Sequence, residues 1–159
     1  MEASVLFVCL GNICRSPTAE GVFRHKVRLA GLENRIHIDS AGTGAWHVGN
    51  PPDSRAQSVA AARGISMAGQ RARKVRYEDF ERFDYVLAMD RENLEDLRAM
   101  APDEHYDKIR LFLEFAEQRA ETEVPDPYYG GPQGFEHVFD LVEEAADGLL
   151  ADIVERYRF

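Results

Sequence analysis

A cysteine and an arginine separated by five residues stand near the start of the chain. Cys9 ends an apolar run, and Arg15 follows the segment 10–14. A thiolate is a good nucleophile, and a planar guanidinium can hold two oxygens of a tetrahedral oxyanion. Gly11 and Asn12 tolerate left-handed backbone conformations, so the segment can curl and turn its N–H groups inward. The sequence therefore predicts an anion cradle with a nucleophilic thiol at its base.

The elements on either side of this segment are expected to position it. Residues 4–9 form a short apolar run rich in β-branched and aromatic side chains, which favours a buried strand. Ser16 is a frequent helix N-cap and Pro17 suits a first helical position, so a helix is predicted from there to Ala30. The positive end of its dipole would stabilise both an anion and the Cys9 thiolate. Ser16 either caps this helix or donates its hydroxyl to the thiolate.

Predicted strands and helices alternate along the rest of the chain. Strands are expected at 36–40, 85–88 and 109–112, and helices at 53–63, at 91–100 and, behind a long loop at 121–134, along an apolar stripe from 135 to 153. This alternation indicates the α/β class, with a doubly wound four-stranded parallel sheet and helices on both faces. The chain length suits a single domain over residues 1–159. Ligands of such sheets bind beyond the carboxyl ends of the strands, where the segment after Cys9 lies.

The composition and charge exclude several classes of function. Hydrophobic residues make up 45% of the chain and charged residues 30%, which is typical of a globular protein rather than a disordered or fibrous one. A formal net charge of −9 argues against nucleic-acid and membrane partners, although it leaves room for a small local anion site. No apolar run approaches the length of about 18 residues that a membrane span needs, and the first residues do not resemble a signal peptide.

The chain has two cysteines, Cys9 and Cys14, which are too few for a disulfide framework, so we expect a reducing, cytoplasmic location. They lack a second pair of ligands and the five histidines show no metal-binding spacing, so no metal is expected. No Gly-Lys-Ser/Thr motif of a nucleotide-binding loop follows Gly11, and no cofactor is indicated. Cys14 either forms a reversible disulfide with Cys9 or packs as a small residue.

The run CLGNICRSP at residues 9–17 resembles the signature of the low-molecular-weight protein tyrosine phosphatases. The similarity extends to DSAGT at 39–43, WHVG at 46–49, Met89-Asp90 with Asn93, and DPYYG at 126–130. It implies that Cys9 attacks phosphorus to form a phosphocysteine intermediate and that Asp126 is the general acid. Arg15 and the loop amides would bind the phosphate without a metal. The phosphate-binding residues would be Leu10, Gly11, Asn12, Ile13, Cys14 and Arg15.

The same resemblance implies supporting residues and a substrate cleft. Asn12 and Ser40 look like the family's support pair, a side-chain hydrogen bond that holds the loop open, and Ser16 lies beside them. Trp46 either forms a wall of the cleft or pins the loop between Gly44 and Gly49. The residues that match the family's cleft walls are Trp46, Tyr128 and Tyr129.

The implied substrates are phosphotyrosine-containing proteins. Relatives that hydrolyse phosphoarginine carry threonine in place of Ile13 and lack a second tyrosine, so Ile13 and Tyr129 favour phosphotyrosine. One residue departs from the family pattern, because Gln70 stands where many relatives have a histidine tied to the loop asparagine. Glutamine forms hydrogen bonds but cannot become a cation. For the oligomeric state we expect a monomer or a weak dimer.

Two other functions remain open from the sequence. An arsenate reductase of the same fold would use Cys9 to attack arsenate; the thioredoxin-linked type needs two further cysteines that this chain lacks, whereas a glutathione-linked type does not. A phosphate-binding module without catalysis would not need Cys9, Arg15 and Asp126 together. The nearby basic residues are expected on a solvated face: Arg71, Arg73, Lys74 and Arg76.

Overall fold

A parallel sheet forms the middle layer of the protein. The computed structural model describes residues 2–128 and 131–159. Within these ranges the sheet consists of β1 (Ala3–Cys9), β2 (Ile36–Gly42), β3 (Tyr85–Ala88) and β4 (Ile109–Leu111). The order across the sheet is β2-β1-β3-β4, and all neighbours are parallel. The strand order therefore reverses at β1, which opens a crevice at its carboxyl end, directly after Cys9.

Helices cover both faces of the sheet. In the described ranges the α-helices are α1 (Arg15–Leu29), α2 (Ser54–Ala62), α3 (Tyr77–Arg82), α4 (Arg91–Met100) and α5 (Pro132–Tyr157), with short 3-10 helices at Asp103–Lys108 and Phe112–Phe115. None of the helices in this part of the chain has the length and apolar character needed to cross a membrane.

The side chains of β1 alternate between two hydrophobic cores. Val5 and Phe7 belong to the core that contains the buried faces of α1 and α5. Leu6 and Val8 belong to the core that contains those of α3 and α4. A strand buried on both faces reads as an uninterrupted apolar run, which is the pattern at residues 4–9. The predicted fold class, a doubly wound parallel sheet with helices on both faces, is confirmed.

Helix α1 begins two residues earlier than the sequence predicts, at Arg15 rather than Pro17, and Ser16 does not cap it. The N-cap is Cys14, whose side chain makes no capping hydrogen bond. Ser16 is buried in the first turn, with its Oγ 3.0 Å from Cys9 Sγ. The predicted N-cap role of Ser16 is therefore wrong, and its hydroxyl lies at the sulfur instead. The curled segment enters the helix directly, which leaves the first backbone amides available to an anion.

Several other elements differ from the predictions; strand β2, for example, runs two residues beyond the predicted end, to Gly42. Helix α3 was not expected because it is only six residues long; Asp79 begins it by accepting the backbone N–H of Arg76 at 2.8 Å. The predicted strand through Phe112 is wrong at its end, since β4 stops at Leu111 and Phe112 starts a buried 3-10 helix. Helix α5 begins at Pro132, inside the loop predicted at 121–134.

We expect Gly148→Ala to destabilise the fold, because α5 has no room for a side chain at this position. A Cβ at residue 148 would lie 1.9 Å from the carbonyl oxygen of Phe115, so α5 and the 3-10 helix would have to separate. Overpacking of this kind costs about 1–3 kcal/mol, which should exceed the roughly 1 kcal/mol that alanine gains over glycine in a helix. Urea unfolding measures the change in the free energy of unfolding.

The matched control is Gly134→Ala in the same helix. A Cβ there would lie 3.6 Å from the Cβ of Pro127, an ordinary contact distance, so this variant should be as stable as wild type or slightly more so. An unfolding free energy for Gly148→Ala at or above that of wild type would contradict the packing argument.

Candidate active site

The segment between β1 and α1 curls around the sulfur of Cys9. Asn12 has a φ of +57°, a left-handed conformation that asparagine tolerates, and its backbone N–H donates to Cys9 Sγ at 3.3 Å. Strand β2 fits closely against the segment, since a Cβ at Gly42 would lie 2.8 Å from the carbonyl oxygen of Leu10. The curl therefore depends on the conformation of Asn12 and on glycine at residue 42.

Cys9 is buried among hydrogen-bond donors at the carboxyl end of β1. Its Sγ lies 3.0 Å from Ser16 Oγ and 3.3 Å from the backbone nitrogen of Asn12. Helix α1 starts at Arg15, so the positive end of the helix dipole lies beside the same loop. Donors and a helix N-terminus favour the thiolate form of a cysteine. The sulfur therefore faces a hydroxyl, a backbone N–H and the positive end of a helix dipole.

Arg15 is held by Asp90 from the end of the neighbouring strand β3. Its Nη1 donates to Asp90 Oδ2 at 2.6 Å and to the carbonyl oxygen of Val124 at 3.1 Å. Burial opposes the positive charge, but Cys9 and Asp90 nevertheless raise the pKa of the guanidinium above its ordinary value. Arg15 is therefore a fixed cation beside the sulfur. Asp90 was named above only for its match to the family motif; its position two residues after β3, at the same edge of the sheet, was the available signal for this role.

Asp126 lies at the edge of the same site. Its Oδ2 is 3.8 Å from Arg15 Nη2, and its Oδ1 accepts the backbone N–H of Tyr128 at 3.0 Å. The segment that carries it is fixed two residues earlier, because the buried Val124 donates its backbone N–H to the carbonyl oxygen of Met89 at 2.8 Å. The structure thus brings Cys9 and Arg15, predicted from the N-terminal loop, together with an acid more than a hundred residues away in the sequence.

A cavity of about 480 Å³ opens above these groups. Its lining residues are Cys9, Leu10, Gly11, Ile13, Cys14, Arg15, Trp46, His47, Asp126 and Tyr128. Trp46 lines the cavity with 72% of its surface exposed, and it also packs over Gly44, where a Cβ would lie 1.9 Å from the indole ring. Both interpretations of Trp46 are therefore compatible with its position. Tyr129 lies outside the described residues.

His47 is a cavity residue to which the sequence analysis gave no role. Its imidazole lies against the segment between β1 and α1, with Cδ2 at 3.0 Å from the position a Cβ of Gly11 would take. Its ring centroid is 6.4 Å from that of Tyr128 across the cavity mouth. The signal available in the sequence was its place beside Trp46 in a segment that ends at Gly49.

The side chain of Asn12 links three segments. Its Nδ2 donates to Ser16 Oγ at 2.8 Å and to Ser40 Oγ at 3.0 Å, while its Oδ1 accepts the backbone N–H of Arg73 at 3.0 Å. The structure therefore brings together the three residues predicted to support the loop. The prediction of a solvated Arg73 is wrong, because its guanidinium binds the carboxylates of Asp39 and Asp79. The backbone at residue 73 is thereby held in place for Asn12.

Gln70 lies against α1 and not against the side chain of Asn12. Its Nε2 donates to the carbonyl oxygen of Pro17 at 3.1 Å. Its Oε1 is buried and has no hydrogen-bond partner within the described ranges. Gln70 therefore stabilises the first turn of α1. The Oδ1 of Asn12 accepts its hydrogen bond from the backbone N–H of Arg73 and not from Gln70.

Comparison with known proteins decides the family. The chain matches the family profile described as low molecular weight phosphotyrosine protein phosphatase over residues 4–158. The chain belongs to this family. It is 48% identical over 150 residues to the low molecular weight protein-tyrosine-phosphatase YfkJ of Bacillus subtilis, covering 94% of this chain and 95% of that protein. The low molecular weight phosphotyrosine protein phosphatase of Schizosaccharomyces pombe is also 48% identical over 150 residues, covering 94% of this chain and 96% of that protein.

The fold comparison agrees with the sequence comparison. The crystal structure of a protein tyrosine phosphatase from Entamoeba histolytica, with Hepes in the active site, superposes with a TM-score of 0.93 at 40% identity. The match covers 99% of this chain and 100% of that one. The predicted resemblance is confirmed, and the chain is a hydrolase of the low molecular weight protein-tyrosine-phosphatase class.

We expect Asp90→Asn to lower kcat/KM on p-nitrophenyl phosphate by roughly ten- to hundredfold. Asparagine still caps α4 as Asp90 does through Oδ1, but it has no charge to hold Arg15. A hydrogen bond between charged groups contributes about 1.5–3 kcal/mol, and each 1.36 kcal/mol is about tenfold in rate. Glu123→Gln is the control, because this exposed carboxylate binds the adjacent backbone N–H of Arg91 and does not contact Arg15. Wild-type activity in Asp90→Asn would contradict the prediction.

We expect iodoacetamide to label Cys9 and not Cys14 at neutral pH. Burial raises the pKa of the Cys14 thiol to about 12, and nearby negative charge adds to the rise, so Cys14 stays protonated and unreactive. Fragment-ion mass spectrometry of the loop peptide locates the label. Cys14→Ser should leave labelling unchanged and Cys9→Ser should abolish it. Equal labelling of the two sulfurs would show that the donors around Cys9 have no effect on its reactivity.

Proposed function

We propose that this phosphatase hydrolyses phosphotyrosine in proteins through a phosphocysteine intermediate on Cys9. The observation that carries the proposal is the convergence of Cys9, Arg15 and Asp126 on one cavity. The thiolate attacks phosphorus in line with the leaving tyrosine oxygen, so that the S–P bond forms as the P–O bond breaks. Water then attacks the phosphocysteine, which releases inorganic phosphate and restores the thiolate.

Backbone amides and Arg15 stabilise the charge of the transferring phosphoryl group. The amides of residues 10–15 are proposed to bind the phosphate oxygens; that of Asn12 lies 3.3 Å from Cys9 Sγ, and α1 begins at Arg15, which adds the positive end of its dipole. Asp90 holds Nη1 of the guanidinium at 2.6 Å, which leaves the rest of the fork for the phosphate oxygens. In the transition state, charge spreads over the three equatorial oxygens, and fixed donors are most effective there. We propose that this cradle supplies the charge that other phosphatases obtain from metal ions.

Asp126 acts first as general acid and then as general base. A tyrosine phenol has a pKa of about 10, so its bare anion leaves slowly at neutral pH and benefits from a proton. The amide of Tyr128 holds Oδ1 of Asp126, whereas Oδ2 lies on the side of Arg15. After the phenol departs, the same carboxylate takes a proton from the attacking water. The proton that Asp126 gives up in the first step is regained in the second.

The cavity walls suit the length and flatness of a phosphotyrosine ring. The imidazole of His47 and the ring of Tyr128 lie on its sides, and Trp46 stands exposed at its mouth. Aromatic walls favour a ring that stacks, and depth favours a phosphate carried far from the peptide backbone. Ile13 adds an apolar surface where a charged guanidinium would be poorly solvated.

We further propose that the enzyme works in the cytoplasm, where a reducing environment keeps both thiols free.

The test combines Cys9→Ser and Asp126→Ala with substrates of different leaving groups. Cys9→Ser should show no turnover and no phosphoenzyme after rapid acid quench, because the attacking thiolate is gone. Asp126→Ala should lose roughly 10²–10⁴-fold in kcat on phosphotyrosine peptide, and less on aryl phosphates with acidic phenols, which need no proton. Glu121→Ala, an exposed acid of the same loop, should behave as wild type.

Two outcomes would overturn the mechanism. Turnover in Cys9→Ser would exclude the phosphocysteine intermediate. A loss in Asp126→Ala that is equal for all leaving groups would exclude Asp126 as the acid, although Cys9 could still be the nucleophile.

A further inference from the structure

Glu20 is a buried carboxylate of α1 that the proposed reaction does not use. Its side chain is 8% exposed, and both of its oxygens accept hydrogen bonds. Oε1 accepts from Ser40 Oγ at 2.7 Å. Oε2 accepts from Nε and Nη2 of Arg24 at 3.1 and 3.0 Å, and Arg24 also donates to the carbonyl oxygen of Ile38. A buried carboxyl group that only accepts hydrogen bonds, and donates none, is placed to be ionised.

The bond to Glu20 fixes the direction of the hydrogen bond that Ser40 makes with Asn12. A hydroxyl has one proton, and at 2.7 Å from a carboxylate that proton points to Glu20. Ser40 Oγ can then only accept from Asn12, whose Nδ2 lies at 3.0 Å. The orientation of the Asn12 amide agrees, because its Oδ1 accepts the backbone N–H of Arg73.

The same direction continues from Asn12 to the sulfur. The Nδ2 group of Asn12 also donates to Ser16 Oγ at 2.8 Å, so the oxygen of Ser16 is an acceptor and its proton is free to point elsewhere. Cys9 Sγ lies at 3.0 Å from that oxygen, closer than the carbonyl of Ala41 at 3.4 Å. The hydroxyl proton of Ser16 therefore points to the thiolate.

We propose that Glu20 is a positioning residue for the phosphatase reaction. Its ionised carboxylate sets the direction of the hydrogen bonds through Ser40, Asn12 and Ser16, and so keeps a hydroxyl proton on the Cys9 thiolate. The proposal rests on the proposed role of Cys9 as nucleophile. Gln70 lies outside this path, since it bonds to the carbonyl oxygen of Pro17.

The charged groups around Glu20 come from three segments. Burial raises the pKa of Glu20 above its ordinary value, while the bonds from Ser40 and Arg24 oppose the rise. Asp39 on β2 adds a further small rise, and the guanidinium of Arg73 is paired with Asp39 at 3.0 Å. Arg24 is therefore the cation that compensates the carboxylate directly, at the outer end of the hydrogen-bond path.

Glu20→Gln tests the proposal because an amide has a single acceptor oxygen. In the variant, Arg24 takes that oxygen with its two donors, which turns the Nε2 group of the new glutamine toward Ser40. Ser40 then faces donors on both sides, from residue 20 and from Asn12. The hydroxyl proton of Ser40 then has no acceptor at residue 20, and the hydrogen bonds that Asn12 donates to Ser40 and Ser16 weaken.

The decisive measurement is the pH dependence of Cys9 alkylation by iodoacetate. This dependence would not change if Glu20 had only a structural role. In folded Glu20→Gln its midpoint should shift upward by about half to one pH unit, since the thiolate loses part of one charge-assisted hydrogen bond. The kcat on p-nitrophenyl phosphate should fall about three- to tenfold with KM within about twofold, because the phosphate cradle keeps its amides and Arg15. An unshifted alkylation midpoint would overturn the proposal.

Matched variants distinguish a change in hydrogen-bond direction from a general structural effect of the substitution. Asp147→Asn also neutralises a carboxylate facing α1, where it pairs with Lys26 at 2.8 Å, and it should leave both measurements unchanged. Glu20→Gln combined with Arg24→Leu frees the amide oxygen for Ser40 and should restore the alkylation midpoint. Failure of this rescue would overturn the directional argument.

Two further outcomes keep the proposal testable. If Glu20→Gln does not fold, Ser40→Ala interrupts the same hydrogen-bond path and should give the same upward shift of the alkylation midpoint. A midpoint equal to that of wild type in Ser40→Ala would refute the proposed role of this path. Turnover in Cys9→Ser would instead refute the phosphocysteine mechanism, without affecting the alkylation comparison between Glu20→Gln and wild type.

Discussion

The amide of Asn12 is the contact on which the geometry of the site depends. It bonds to Ser16 on α1, to Ser40 on β2 and to the backbone of Arg73, so three segments distant in sequence meet at one side chain. These bonds offset the strain of a left-handed residue, about 1–2 kcal/mol. The same conformation turns the N–H of residue 12 toward Cys9. A single residue therefore sets both the environment of the sulfur and the curvature of the anion cradle.

Electrostatic complementarity at this site is local. The formal net charge of the chain is −9, yet the cavity holds a buried guanidinium, Arg15, with the N-terminus of α1 beside it. Fixed dipoles and one fixed charge are effective at short range because a buried group is little screened by salt. Asp90 holds the guanidinium in place without covering all of its donors. A bound phosphate would meet donors that are already oriented, whereas the net negative charge of the chain disfavours extended polyanions.

Local patterns made the central strand and the cradle predictable from the sequence. The apolar run at 4–9, the Gly11-Asn12 pair and the spacing of Cys9 and Arg15 are all contiguous signals. Contacts between distant segments were not predictable, such as the one between Arg15 and Asp90. Glu20 and Arg24 have the spacing of an ordinary exposed ion pair on a helix, so nothing in the sequence indicated burial at one of them. The capping prediction at Ser16 failed because the cradle, and not a side chain, occupies the start of α1.

The hydrogen bond between Val124 and the end of β3 limits where the acid can go. Two peptide units separate this anchor from Asp126, so the Cα of Asp126 stays within about 7 Å of that of Val124. The carbonyl of the same residue binds Arg15, which couples the reach of the acid to the position of the guanidinium. Length changes in the loop before Val124 would leave the acid where it is. An insertion after Val124 would displace Asp126 while leaving Cys9, Arg15 and the segment between them intact. The number of residues between Val124 and Asp126 is therefore constrained by the position that the carboxylate must reach.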